Sequence, residues 1–132
     1  MLLAMALLAL GAIAWLLFNH LVRLRNQVRA AWADIDVQLQ RRHDLVPRLV
    51  AVVRGYAGHE HALLAAVTEL RTRALVQTAP ARLGEIEGSL ESALGRLVVL
   101  AESYPELKAS DNFLQLQRDL VEVEEHLQYA RR

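Results

Sequence analysis

The stretch that decides the fold is the N-terminal run MLLAMALLALGAIAWLLFNHLV, residues 1–22, which contains no Asp, Glu, Lys or Arg. Every residue from Leu2 to Phe18 is apolar or glycine, and the run as far as Val22 would form a helix about 31 Å long. That length matches the roughly 30 Å hydrocarbon core of a bilayer. The first basic residues, Arg23, Arg25 and Arg29, follow directly. The pattern predicts a single transmembrane anchor, residues 1–22.

A cleaved signal peptide and a buried core helix are the two alternatives for this run. No basic residue precedes it, and the small-residue pattern Ala12-Ile13-Ala14 is followed by more apolar residues, which argues against cleavage. A run that is apolar on all sides also does not suit a core helix of a soluble domain. Because the arginines follow the anchor, the positive-inside rule predicts that the C-terminal domain lies in the cytoplasm.

The composition of the whole chain indicates helix and excludes several kinds of function. The 132 residues include 15 Lys and Arg, 15 Asp and Glu, no cysteine and only 5% aromatic residues. The absence of cysteine excludes disulfides, a thiol nucleophile and cysteine-bound metal. Zero net charge gives no nucleic-acid footprint. We find no phosphate-binding loop or nucleophile motif, and we expect no enzymatic activity and no cofactor.

Four segments beyond the anchor carry apolar residues at helical spacing. The first continues from the anchor without a break and contains Pro47, which removes the amide that would bond to the carbonyl of His43. The others begin after the turn at residues 55–58, after Pro80 and after Ser110 or Asp111, either of which suits an N-cap. The expected fold is all-α: a transmembrane helix that continues into an antiparallel up-down four-helix bundle, residues 23–132.

Charged and polar residues crowd the first segment around its apolar stripe. We consider Asp36, Arg41, Arg42 and Asp44 candidates for a partly buried polar network, and Arg42 stands at a position where the stripe requires an apolar residue. A simple solvated helix face is the alternative interpretation.

A second candidate site follows from the up-down topology. The first and third connections fall at the same end of such a bundle, far from the membrane, and bring together residues about 50 positions apart. They form either an interaction surface or a clamp between the turns, for example through an Arg54–Glu102 ion pair. The candidates are Arg54, Tyr56, His59, Glu60, Glu102, Tyr104, Glu106 and Lys108.

Several motifs resemble those of the LemA family. They are the run from Ala31 to Pro47, the pairs Gly55-Tyr56 and His59-Glu60, and the stretch from Glu102 to Ala109. The resemblance implies a bacterial cell-membrane protein with one N-terminal anchor and a helical bundle. It also implies that the last helix is truncated here, since the family continues it. It implies no activity, because the molecular function of the family is not established.

Three functions remain open at this point. The favoured one is a membrane-tethered module that binds an unidentified protein partner. The second is a lipid-contacting or membrane-remodelling bundle, since residues 23–73 carry a net charge of +4 and the remainder −4. The third is a metal-binding bundle that uses His59, Glu60 and His61.

Overall fold

The computed structural model describes residues 1–130, which contain five helices and no strand. The helices are α1 (Leu2–Tyr56), α2 (His61–Val76), α3 (Pro80–Ala101), α4 (Pro105–Lys108) and α5 (Asp111–Ala130). Two units are distinguished, residues 1–37 and residues 38–132. Of the domain expected over residues 23–132, Arg131 and Arg132 lie outside the described residues.

The first unit, residues 1–37, is helical and exposed. Nearly all of its apolar side chains are exposed, and Leu10, Trp15 and Phe18 are 64–67% exposed. Helix α1 contains a segment long and apolar enough to cross a membrane, and none of that segment is buried inside the protein. A helix that is apolar and exposed on all sides is suited to the interior of a bilayer rather than to a protein core.

The second unit is the all-α, four-helix bundle that the periodicity predicts, with the single-turn α4 in its third connection. The core combines Val46, Leu49 and Val53 of α1 with apolar stripes of the other helices. Those stripes are Leu64 and Val67 of α2, Leu90, Leu94 and Leu97 of α3, and Phe113, Leu120, Val123 and Leu127 of α5. Leu107 of α4 is also fully buried, so α4 covers one end of this core.

The helix boundaries follow local chemistry. Helix α3 begins at Pro80 itself, and not after it as was expected. Proline suits the first helical position, because the amide of that residue has no acceptor within the helix. Helix α2 ends at Val76 and Gln77 is extended, as the following Thr-Ala-Pro sequence predicts. Of the two expected caps for the last helix, Ser110 accepts from the amide of Phe113 at 3.5 Å.

Pro47 does not end α1, which continues to Tyr56. The carbonyl of His43, which lacks the amide of residue 47 as a partner, accepts a hydrogen bond from Nε of Arg71 at 2.7 Å. Arg71 belongs to α2, so the proline turns one intrahelical bond into a bond between two helices.

Candidate functional site: a buried charge layer and a paired-turn surface

The bundle encloses a layer of charged side chains, which we call the charge layer: Arg42, His43, Arg71, Glu87 and Glu124. Each of the four long helices contributes to it. Arg42 and Glu87 are almost completely buried, at 0% and 2% exposed, and His43 is 6% exposed. Charged groups this deeply buried occur in proteins when they are paired, because isolation from water is costly.

Arg42 is the centre of the layer. Its Nη1 lies 2.9 Å from Oε2 of Glu87 and 3.4 Å from the Glu87 carbonyl. Its Nη2 donates to Oε2 of Glu124 on α5 and lies 3.9 Å from Oε2 of Glu91 on α3. One guanidinium therefore joins three helices, which its planar fork of donors suits better than the single ammonium of lysine would.

Glu87 accepts from two residues of α1. Its Oε1 lies 2.5 Å from Nε2 of His43, while Oε2 accepts from Arg42. Burial raises the pKa of Glu87, but the hydrogen bond and charge of His43 together with those of Arg42 outweigh that effect and hold the pKa below its ordinary value of 4.5. Glu87 is therefore ionised in the bundle at neutral pH.

The other three members of the expected polar network lie on the surface. Asp36 is exposed. Arg41 is half-exposed and pairs with Glu122 at 3.5 Å. Asp44 is exposed and accepts from Nε2 of Gln40 at 3.0 Å. Only Arg42 of the four enters the buried layer, because only Arg42 occupies the inward face that Val46 and Leu49 continue.

The sequence does contain a signal for the layer members that were missed. Arg71 lies between Val67 and Ala74, which are both buried, and Glu87 and Glu124 interrupt the stripes of α3 and α5 in the same way. In each case the neighbouring apolar residues are three and four positions away, so the charged residue must share their face. His43 carries the same signal, since Leu39 lies four positions before it and Val46 three positions after it.

The structure brings the two turns of the second candidate site together at one end of the bundle. The hydroxyl of Tyr104, after α3, lies 3.4 Å from Oε1 of Glu60, before α2. A cavity of about 320 Å³ lies beside this contact and is lined by Tyr56, Ser103, Tyr104, Pro105 and Glu106. We call the eight residues predicted from the topology the paired-turn surface.

Charges on the paired-turn surface are paired differently from the expected clamp. Nζ of Lys108 donates to Oε2 of Glu102 at 2.5 Å, so Glu102 pairs with Lys108 and not with Arg54. The reason is proximity along the chain, since both residues belong to the same connection. Tyr56, His59 and Glu106 are exposed to solvent, and Tyr56 is 44% exposed.

The alternative metal site at His59, Glu60 and His61 has no geometric support in the described part of the chain. Within residues 1–130, no group of three or more His, Asp or Glu side chains is arranged to hold a metal ion. Glu60 instead accepts from Tyr104.

Comparison with known proteins identifies the family. The model of the LemA family matches residues 31–132, which include the whole second unit. The chain belongs to the LemA family. This family match covers both the charge layer and the paired-turn surface.

Individual relatives are bacterial. The chain is similar to the magnetosome proteins MamQ 1 and MamQ 2 of Paramagnetospirillum magneticum, at 26% identity over 136 residues. It is also similar to Protein LemA of Metamycoplasma hominis, at 26% identity over 113 residues. Each alignment covers 83% of this chain, and the chain spans about half the length of these relatives.

Proposed function

We propose that this LemA-family chain is a membrane-anchored interaction module, whose α1 crosses the membrane over residues 2–22 and whose bundle binds another protein. The observation that carries the proposal is helix α1 itself. This one helix supplies both an apolar span with no protein cover and the core residues Val46, Leu49 and Val53. A domain whose core shares a helix with its anchor is suited to holding a binding surface at a membrane.

The paired-turn surface is the proposed contact region for that partner. It combines an exposed tyrosine, a cavity and charges of both signs. Tyrosine is enriched in protein interfaces, and the rim of such an interface is polar. Arg42, His43 and Glu87 of the charge layer are too deeply buried to meet a partner. Their proposed contribution is to fix the helices that present the two turns.

Crosslinking in native membranes followed by affinity capture tests this function. We expect a reproducible partner with the unmodified chain, and loss of that partner in His59→Ala or Lys108→Ala with the unfolding temperature unchanged. Thr72→Ala, an exposed change on α2 away from both turns, is the matched control and should retain the partner. Capture that yields no reproducible protein would contradict the function. Capture that is indifferent to His59 and Lys108 would contradict only the surface.

A further inference from the structure

The part of α1 that directly follows the proposed span carries positive charge without a counter-charge of its own. Residues 19–30, which we call the juxtamembrane segment, are all exposed. The first acidic residue of the chain is Asp34, which lies beyond the segment. By contrast Arg42, further along the same helix, is paired with carboxylates of the bundle. The basic residues that remain available to an anionic partner are Arg23, Arg25 and Arg29.

One face of the juxtamembrane segment offers hydrogen-bond donors. A shallow groove of about 580 Å³ follows this face, and its polar lining residues are Asn19, Arg23, Asn26 and Gln27. Spacings of three and four positions place these side chains on the same side of α1. The other lining residues, Val22 and Ala30, are apolar, so no carboxylate of the lining repels an anion. Guanidinium and amide groups are suitable donors to phosphate oxygens.

The position of the segment along α1 determines which anions it meets. With residues 2–22 as the span, Arg23 and Arg25 lie about 2 and 5 Å beyond the hydrocarbon core. The headgroup layer is about 5–7 Å thick on each side of a bilayer, so both residues lie within it. Arg29 lies about 11 Å beyond the core, within a Debye length of the headgroup layer. Lipid phosphates are therefore the anions nearest to the segment.

The net charge of the lipid decides which headgroup is favoured. In phosphatidylcholine a quaternary ammonium already lies beside the phosphate, whereas phosphatidylglycerol carries a net negative charge. An anionic leaflet attracts basic residues that lie close to its surface. Three arginines without an acidic neighbour in the same segment therefore favour an anionic lipid over a zwitterionic one.

We propose that the juxtamembrane segment binds the headgroups of anionic phospholipids, with Arg23, Arg25 and Arg29 beside the phosphate groups and Asn19, Asn26 and Gln27 as further donors. This inference rests on the membrane span of the proposed function. It names the class of lipid that surrounds the end of the anchor, and it is independent of which protein the bundle binds.

The fluorescence of Trp15, which lies in the span, measures the lipid preference. The chain has two tryptophans, and Trp32→Phe removes the other at an exposed position. The full chain with this change is reconstituted in vesicles whose phosphatidylglycerol or phosphatidylcholine has brominated acyl chains, which quench tryptophan on contact. We expect phosphatidylglycerol to be favoured about twofold to fivefold, because an arginine near an anionic surface contributes a factor of about five. Equal affinity for the two lipids would overturn the proposal.

Variants with three substitutions locate the preference. Changing Arg23, Arg25 and Arg29 together to glutamine should bring the ratio of affinities close to one. A matched control makes the same change of charge at exposed arginines of the bundle and should keep the preference of the unmodified chain. Its substitutions are Arg54→Gln, Arg96→Gln and Arg118→Gln. An equal loss in both triple variants, or a loss in neither, would show that the juxtamembrane segment is not the source of the preference.

The same measurement separates this inference from the proposed function. Quenching of Trp15 by brominated phosphatidylcholine indicates that the span is in the bilayer, so equal affinity for the two lipids would count against the lipid inference alone. The absence of quenching by either lipid would contradict the span and, with it, the inference. Replacing chloride by inorganic phosphate at equal ionic strength should leave the preference unchanged. A loss of preference in phosphate would show that a free anion occupies the segment and would overturn the assignment to lipid.

Discussion

Arg42 determines how the buried charges of the bundle are balanced. It is completely buried and bonds to Glu87 and Glu124, so its removal would leave carboxylates in the core without their counter-charge. The desolvation of an ion pair often cancels its attraction, but breaking one partner of a buried pair is costly. The layer is therefore weak evidence of net stabilisation, and its proposed contribution is to select one arrangement of the helices.

Replacing one partner of the buried Arg42–Glu87 pair should destabilise the bundle more than replacing both. Arg42→Met should lower the free energy of unfolding by about 3–5 kcal/mol, because Glu87 remains buried and charged. Arg42→Met combined with Glu87→Leu should recover most of that loss, since the remaining Glu124 is partly exposed. Denaturant unfolding of the full chain in detergent, followed by circular dichroism, measures both.

Arg41→Met is the matched control, because Arg41 is adjacent, carries the same charge and pairs only at the surface with Glu122. Its effect should stay within about 0.5 kcal/mol. If Arg41→Met were as destabilising as Arg42→Met, or if the double variant summed its two single losses, the buried layer would not be the source of the effect.

The pKa of Glu87 predicts a pH dependence of stability. This pKa is held below 4.5 in the folded chain, so the unfolded chain takes up the proton at higher pH than the folded one. The stabilisation is therefore complete above about pH 4.5 and is lost as the pH falls through the lower folded value. Unfolding temperatures measured from about pH 7 to pH 3 should fall less steeply in Glu87→Gln than in the unmodified chain.

Glu85→Gln removes an exposed carboxylate two residues away on the same helix and serves as the control. Its acid profile should follow that of the unmodified chain. Parallel profiles for Glu87→Gln and the unmodified chain would contradict the assignment of this acid sensitivity to Glu87.

At the scale of elements, periodicity predicted the four long helices, and turn chemistry predicted most of their ends. Periodicity was less accurate in predicting which part of an apolar stripe is buried. Trp32 belongs by spacing to the stripe of α1, yet it is 58% exposed, whereas Val46 and Val53 are buried. Spacing determines the face of a helix, but burial also depends on where neighbouring helices begin and end, which is a tertiary property.

The same limit applies to the charge layer. Only Arg42 was identified from the sequence as a charged residue within an apolar stripe, although Arg71, Glu87 and Glu124 also lie three and four positions from apolar residues of their own helices. Their pairing depends on the axial register of one helix against another, which no single helix encodes. The prediction that the first and third connections lie at the same end of the bundle agrees with the contact between Tyr104 and Glu60. This prediction needs only the topology, because each short connection reverses the direction of the chain.

Pro47 and Arg71 should be energetically coupled across α1 and α2. Arg71→Ala leaves the carbonyl of His43 without its bond and should cost about 1–3 kcal/mol. In a Pro47→Ala background residue 47 regains an amide that can serve the same carbonyl, so Arg71→Ala should then cost about 1 kcal/mol less. A double-mutant cycle from denaturant unfolding measures the coupling, and strict additivity would contradict it.

For the whole molecule, the proposal depends on residues 2–22 lying in the membrane. Leu10→Arg places a charge near the middle of the span and should cost roughly 2.5–3.5 kcal/mol of insertion free energy. A larger share of this variant should appear in the soluble fraction after cell lysis, and Leu75→Arg, an exposed change on α2, should not shift the distribution. Unchanged membrane association of Leu10→Arg would mean that another part of the chain holds the protein there.

The positive-inside pattern of Arg23, Arg25 and Arg29 adds a proposed orientation, with the bundle in the cytoplasm. External protease added to intact cells or spheroplasts should leave the bundle whole, and lysis should expose it. Digestion before lysis would indicate the opposite orientation.

The most direct test of the interaction module is site-specific photo-crosslinking in living cells. A photoreactive amino acid is placed at His59 on the paired-turn surface, or at exposed Thr72 on α2 as the control. We expect a discrete crosslinked species from position 59 and none from position 72. No crosslinked species from position 59, or the same species from both positions, would contradict this expectation.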